Sequence, residues 1–491
     1  FMPYFPADFH YHFGFHLIAA LFTFWARIPA SETLLWFGQV LNAAVSLSVY
    51  RLTYTLVSET GGEADDLPTR RWFPFAAACM AALLTGFAFQ MPAYYLTWGR
   101  YTLLAGLILL GPALAAAWEL QHEPASNSAG LRLALLLAGI CLTHYFVLIL
   151  AALFLLVLAG ASLARSFHTG QKHLDLAALA GWSGLGIVLA LPWLAPVGLA
   201  HLEQAGVNLV NPLGQSEAAW QGTIDYLRYI VKMLGPRHNH VLMGLAAAGL
   251  LFSLLQGPLG PLAVWGLLLC LFSLPWGLRL ELFRPDYFTI VLFFPASILL
   301  ANLLVRAAVA LGGLARSKTA WRAPIRGAGF ILMMSFFLIW GMRATRDVIN
   351  RATVLAGPPD LAALNWIRQN TPQDARFFIN STPWMGQVYR GVDGGYWLEP
   401  YTGRFSLVPP ALYSLAGRAV TEQVQDWAVR SEKLEGCGAE FWALVRDAEL
   451  THVYLRRGSG ALQPDALADC PRLRVLYDQE GVIVYEILRP E

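Results

Sequence analysis

From Phe13 to about Met342, apolar runs of helix length follow one another with little polar sequence between them. That feature fixes the class of fold, because a bilayer accepts only helices or closed barrels. The runs are too long and too continuous for barrel strands. They predict a mainly α chain, with a polytopic helical membrane domain over residues 1–345. From Pro358 the pattern becomes that of an ordinary globular sequence, so residues 346–491 are expected to form a small soluble α/β domain. Charged residues are only 13% of the chain, against roughly 25% in soluble domains. A formal net charge of +2 without any basic stripe speaks against a nucleic-acid partner. The first residues, Phe1 to Pro6, read as a loop entering a helix, and further sequence upstream of Phe1 is expected.

Spanning helices are expected at roughly 33–57, 73–91, 101–118, 175–199, 240–256, 258–276, 286–311 and 327–344. Residues 13–27 are shorter and either cross the bilayer or lie in its interface. Residues 131–164 are too long for one span at ~1.5 Å per residue. They read as two short helices meeting inside the membrane at Thr143-His144-Tyr145, which brings the total to about 9 to 11 membrane helices. Lys and Arg near the span ends place the loop 312–326 inside, together with Arg70, Arg71, Arg165 and Lys172. The segments 92–100, 200–239 and 277–285 and the tail then fall outside. In the tail, 359–367 has helical spacing with Asp360 placed to cap it. Residues 376–380, 451–455 and 482–487 read as strands. Cys437 and Cys470 either pair, as an outside location permits, or stay as two thiols. Asn380-Ser381-Thr382 fits a glycosylation sequon. No Walker A loop, Rossmann fingerprint, serine elbow, HExxH or zinc-type cysteine spacing occurs.

Chemistry is therefore expected among polar residues at the outer surface. Asp8, His10, His12 and His16 crowd together just before an apolar run. Asp8, His10 and His12 suit general acid–base work, and Asp8 with His12 can ligate a divalent cation such as Mg or Mn. His16 shares a helical face with His12 and is expected to bind substrate. The plain alternative is an interfacial aromatic belt with incidental polar groups. The same choice holds for Tyr95 and Trp98, which can stack on a sugar ring beside an anion-binding Arg100. Arg279, Arg284, Asp286 and Tyr287 form a short outer loop before a span. Arg284 suits a lipid phosphate there, unless it only pairs with an acid of its own loop. Arg237 and His238 can line the same cavity, and His144 is an intramembrane ionisable group.

The stretch Tyr11-His12-Phe13-Gly14-Phe15-His16-Leu17, the break at Leu142-Thr143-His144 and the segment Arg284-Pro285-Asp286-Tyr287 together resemble the GT-C-type membrane glycosyltransferases. That superfamily holds the protein O-mannosyltransferases and lipid A aminoarabinose transferases. The resemblance implies a polyprenyl-phosphate sugar donor, an acceptor of unspecified kind and a site on the extracytoplasmic face of a prokaryotic plasma membrane. It also implies an Asp of the first outer loop as base or metal ligand, and Asp8 is the acid left in that loop here. A second reading is a non-catalytic protein of the same fold that binds lipid carrier or assists envelope assembly. A transporter is disfavoured, since inverted repeats and intramembrane acids are not evident.

Overall fold

The structure, a computed structural model, describes residues 11–60, 67–169, 174–201, 207–210, 217–256, 259–280, 284–314, 322–385, 388–416 and 418–488. The chain divides into two compact units, His10–Ile349 and Asn350–Glu491.

The first unit is helical. Its helices are α1 (Gly14–Ala26), α2 (Ala30–Thr60), α3 (Leu67–Leu83), α4 (Tyr101–His122), α5 (Asn127–Thr143), α6 (Tyr145–Thr169) and α7 (Leu174–His201). After the short strand β1 (Val207–Val210) come α8 (Glu217–Met233), α9 (Arg237–Gln256) and α10 (Gly260–Phe272). Strand β2 (Gly277–Leu280), α11 (Pro285–Val291), α12 (Phe293–Leu314) and α13 (Arg322–Ala344) complete it. β2 pairs antiparallel with β1, a pairing across the long connection that no local pattern announces. Among the described residues, seven helices are long and apolar enough to cross a bilayer. The protein is thus an integral membrane protein.

α4 and α12 are almost wholly buried, while α7 and α13 turn Leu, Ile and Phe side chains outward, as lipid-facing helices do. Where α4 meets α2, Ser48 Oγ donates to Leu107 O at 2.7 Å and accepts from Gly111 N at 2.9 Å. The hydroxyl is thereby inserted into the helix ladder one residue before Pro112, which has no N–H to give. Ion pairs gather at the other end of these helices: Glu119 binds Arg51 at 2.5 Å and Arg132 at 2.6 Å.

The tail unit holds α14 (Pro358–Asn370), β3 (Arg376–Phe378), β4 (Ser381–Met385), β5 (Val388–Gly391), α15 (Leu398–Thr402) and β6 (Phe405–Ser406). It continues with α16 (Arg418–Glu432), α17 (Ala439–Asp447), β7 (His452–Arg456), β8 (Leu473–Gln479) and β9 (Val482–Ile487). Five strands form a mixed sheet in the order β6-β3-β7-β9-β8, and β4 and β5 form a separate hairpin. Successive residues feed opposite faces. Phe378, Leu455 and Ile483 pack against α17, whereas Phe377, Tyr454 and Val484 pack with Leu364 and Ile367 of α14. Cys437 and Cys470 are joined in a disulfide.

Asp360 caps α14 from its third position, accepting from Gly357 N at 2.7 Å. It also accepts the Tyr454 hydroxyl at 2.7 Å and pairs with Arg456. The sequon reading of Asn380 fails. Its side chain is fully buried, and its amide donates to Ser459 O at 3.1 Å and Leu462 O at 2.9 Å, so no sugar can be attached in the folded domain.

Next to Asp360, the buried Asp393 accepts from Gly395 N at 2.9 Å through one oxygen, while the other has no partner among the described residues. Burial, helped by the charge of Asp360, pushes its carboxyl up to about 7. Because this folded-state value lies above the unfolded one of 3.8, its stabilising contribution is full only below that value and is lost progressively as pH rises to about 7. Asp393→Asn reproduces the neutral form. It should leave the urea midpoint of tail proteolysis unchanged at pH 4 and raise tail stability at pH 8 by roughly 1 to 3 kcal/mol. Equal midpoints at pH 8 would show the buried acid to be harmless.

Candidate functional site

The joint between α5 and α6 is a single residue. His144 is extended (φ −167°, ψ 113°), its N–H donates to Ile140 O at 2.9 Å, and its carbonyl accepts from Val147 N and Leu148 N at 3.0 and 3.3 Å. The chain therefore turns without leaving its backbone groups unpaired. α1 starts against this joint because residue 14 is glycine: a Cβ there would lie 3.0 Å from Leu142 O and from Thr143 Cγ2. The approach seats His12, just ahead of α1, with its ring centroid 4.6 Å from that of His144 and 5.3 Å from that of Tyr145. Tyr145 accepts from Trp193 Nε1 at 3.0 Å, and Trp193 packs edge-on against Phe13. The Tyr11 ring lies on His12 at 3.7 Å, and its hydroxyl bonds Thr102 of α4.

His12 is only 5% exposed. Among the described residues neither of its ring nitrogens has a hydrogen-bond partner, nor does Nδ1 of His144. Burial first, then the neighbouring His16, push His12 down to about 3, so it is a neutral imidazole at ordinary pH. Such a group can bond a ligand but is too weak a base to take a proton efficiently near neutrality.

The second half of the site is cationic. The 3₁₀ segment Ala93–Trp98 ends in left-handed Gly99 (φ 62°), and Arg100 follows as the cap of α4. The Arg100 guanidinium lies 5.1 Å from the Trp98 ring centre and 5.0 Å from that of Tyr287, with no carboxylate partner among the described residues. Tyr94 braces Trp98 edge-on at 4.8 Å. Arg284 is held differently. Its Nε donates to Asp286 Oδ1 at 3.1 Å, and the Tyr229 hydroxyl of α8 donates to Oδ2 at 3.2 Å. Burial, then Asp286, hold the Tyr229 hydroxyl above its ordinary value, so it stays protonated and donates. Arg284 is 62% exposed, and both it and Arg100 act on Tyr229, so the two guanidinium groups share one neighbourhood. Two cations, an aromatic wall and unsatisfied imidazoles form a surface suited to a phosphate with a polar ring attached.

The structure thus brings together His12, His16, Trp98, Arg100, His144, Arg284, Asp286 and Tyr287. Tyr95 is corrected: it is fully buried and its hydroxyl donates to Ile290 O at 2.7 Å, so it is a packing residue and touches no substrate. α5 and α6 run longer than the sequence pattern indicated but meet at the expected residue, and the joint lies beside His12 and Arg100. Arg237 and His238 open α9, where His238 packs edge-on against Trp340, away from the Arg100 neighbourhood. Arg279 lies on β2 opposite Asn208. Asp8 and His10 lie outside the described residues. Sequence reasoning missed Tyr11, Thr102, Tyr145, Trp193 and Tyr229. Tyr229 had a signal in the amphipathic pattern of 217–233, inside what was read as a plain loop.

No protein-family model and no curated protein matches the chain. Among solved structures, the chain is similar to the oligosaccharyltransferase of Archaeoglobus fulgidus tethered with an acceptor peptide containing the NVT sequon. That match has a TM-score of 0.53 at 14% identity, covering 92% of this chain and 62% of that one. The same enzyme in its apo form gives 0.51 at 13% identity over the same shares. A looser likeness, TM-score 0.43 at 14% identity over 91% of this chain and 85% of that one, is to ArnT from Cupriavidus metallidurans bound to undecaprenyl phosphate. The chain therefore spans about three fifths of the archaeal enzyme's length (62%). What the likeness establishes is the architecture: the chain has the GT-C type of membrane glycosyltransferase fold.

Proposed function

We propose that the protein is a membrane glycosyltransferase. It moves a sugar from a polyprenyl-phosphate donor to an acceptor on the extracytoplasmic face, with the tail domain on that same side. The observation that carries this reading is Arg100, a guanidinium fixed between Trp98 and Tyr287 with no carboxylate partner among the described residues. A cation presented in this way is a ready partner for a phosphate. The fold agrees, being shared with an enzyme whose structure holds an acceptor peptide. The Cys437–Cys470 disulfide favours an oxidising compartment for the tail.

In the reaction, an acceptor oxygen bonds to the anomeric carbon as the bond from that carbon to the phosphate oxygen breaks. The electron pair leaves on the lipid phosphate, where Arg100 and the Nη groups of Arg284 oppose its charge. Asp286 and Tyr229 position Arg284. The acceptor proton falls to a carboxylate, and Asp8, four residues before His12, is the candidate for that role. A Mg or Mn ion fits the described residues poorly, because His12 and His144 offer imidazole nitrogens where such ions prefer oxygen, so no step is routed through one. The non-catalytic reading keeps one specific support: Asp286, the carboxylate described in this neighbourhood, is already engaged by Arg284 and Tyr229.

A transfer assay in nanodiscs with a panel of polyprenyl-phosphate sugars tests the proposal. Arg100→Ala should cost on the order of 100-fold in kcat/KM, and Arg284→Ala less, because Arg284 is more solvated. Turnover that survives Arg100→Ala unchanged would reject the phosphate role, and absence of both turnover and donor binding would favour the non-catalytic protein. His12→Phe gives a second test. Since its nitrogens make no hydrogen bonds among the described residues, the swap should change thermal stability by less than about 1.5 kcal/mol while lowering turnover. A large loss of stability would mean that His12 is a structural residue.

A further inference from the structure

The tail unit has a cleft of its own at one end of the five-stranded sheet, with a volume of about 740 Å³. Arg376 opens β3, Arg472 directly precedes β8 and Ile487 ends β9, and all three line it. α17 lines it from the helix side through Trp442, Val445 and Arg446. Val445, Leu450 and Ile487 are buried there, whereas Trp442 and Arg472 are half-buried. The cleft thus joins an apolar base to a ring of charge. Arg376, Arg446, Arg472, Asp374 and Glu449 all border it, and among the described residues none of them forms an ion pair. By contrast, Arg430, Arg456, Arg457 and Arg474 of the same unit each have a carboxylate partner. The cleft arginines are fixed by other means. Arg376 Nε donates to Ala448 O at 2.8 Å, and its guanidinium lies 4.0 Å from the Phe405 ring centre. Arg472 lies 3.9 Å from the centre of the Trp442 ring. Burial lowers the Arg376 pKa, and the charge of Glu449 only partly offsets this, so the cation is under-compensated. Glu449 itself sits just past the end of α17 with φ 52°, where Leu450 N closes the helix on Val445 O at 2.9 Å. Glycine is the usual residue at that position. A glutamate there brings a carboxylate to the cleft at some backbone cost.

We propose that this cleft binds an acidic oligosaccharide, its rings resting on Trp442 and the apolar base and its carboxylate or phosphate groups meeting Arg376, Arg446 and Arg472. Three guanidinium groups against two carboxylates favour an anion, and a planar fork suits either oxyanion. Asp374 and Glu449 accept hydrogen bonds, which sugar hydroxyls can give and a bare anion cannot. The same two acids oppose a dense polyanion such as nucleic acid. The volume also exceeds what a single small anion fills and lies within the range of small-molecule sites, roughly 300 to 1,000 Å³. Thr451 lines the cleft as a structural residue, since its hydroxyl already accepts from Arg376 N at 2.9 Å and bonds His452 Nδ1 at 2.8 Å. All these residues belong to the tail unit, so the binding does not depend on the transfer reading of the Arg100 site.

The test is equilibrium binding to the whole protein in phosphatidylcholine nanodiscs, without donor. The anionic probes are a labelled galacturonic acid tetramer and a labelled maltotetraose carrying one phosphate. The methyl ester of the first and plain maltotetraose are their neutral controls. At least one anionic probe should bind roughly 10-fold tighter than its control, and which one does so separates carboxylate from phosphate recognition. Arg446→Ala and Arg472→Ala should each weaken that binding roughly 10-fold, the loss expected for a charge-assisted hydrogen bond. Arg446 is exposed, so its variant tests the site without endangering the fold. Arg474→Ala, which breaks a pair on β8 outside the cleft, should leave binding intact. Equal binding of anionic and neutral probes would overturn the proposal, as would anionic binding that survives both cleft variants. Loss of binding in Arg100→Ala alone would move the saccharide to the membrane unit and overturn the cleft. A tetra-aspartate peptide that competes as well as the bound saccharide would reduce the cleft to a general anion surface. No binding of either anionic probe at about 5 mM would reject the proposal outright.

Discussion

The site depends on one residue-long interruption, His144, between two helices that would otherwise be continuous. In a membrane an interruption is costly wherever it strands backbone groups. Here His144 donates to the turn behind it and accepts from the turn ahead, so the joint carries no such penalty. What it yields is a turn whose outer side is imidazole and phenol instead of aliphatic surface. Gly14 brings α1 onto the joint, and Tyr11 ties that approach to Thr102 of α4. Arg100 stands two residues before Thr102, on the cap of the same helix. The imidazole half of the site and the cationic half are thereby fixed to one rigid support.

The two arginines are held by opposite means. Arg284 is bound through Nε to a buried carboxylate that a tyrosine hydroxyl also grips, so its position is fixed at the expense of part of its charge. Arg100 is fixed by ring faces, each worth roughly 0.5 to 2 kcal/mol, and such contacts leave its N–H groups able to bond elsewhere. From sequence, Arg284 takes priority because it precedes a spanning helix in a loop of mixed charge. Whether a guanidinium is already paired decides how much of its field a ligand feels, and that pairing is a tertiary property. It depends on α8 reaching Asp286, which no local spacing encodes.

This contrast explains which parts of the chain were legible. The spanning-helix positions in the first unit were, because ~20 apolar residues in a row admit little else, whereas the amphipathic α8 was not. The sheet strands Arg376–Phe378, His452–Arg456 and Val482–Ile487 were, because their apolar residues run continuously through a sheet covered on both faces. Strands β1 and β2 were not, since each is four residues long and its partner lies some seventy positions away. Tyr95 misled for a related reason. A tyrosine in an aromatic loop looks like a wall for a ligand, yet the turn through Ala93–Trp98 points it inward to Ile290 O. Side-chain direction within a short irregular segment is set by packing, and sequence pattern carries almost no record of it.

Polarity is placed by the same economy in both units. In the tail, Asp360 is buried but receives a backbone N–H, a hydroxyl and a guanidinium, so its charge is matched from three sides. Its neighbour Asp393 receives one hydrogen bond and responds by holding its proton. In the membrane unit, His12 cannot recruit donors from the apolar helices around it and responds by shedding its proton. Each buried group becomes neutral wherever the fold fails to supply a partner. The exception is then informative: among the described residues no carboxylate pairs with Arg100, so the fold presents a cation that these residues do not themselves use. A residue in that condition is explained by something the chain binds.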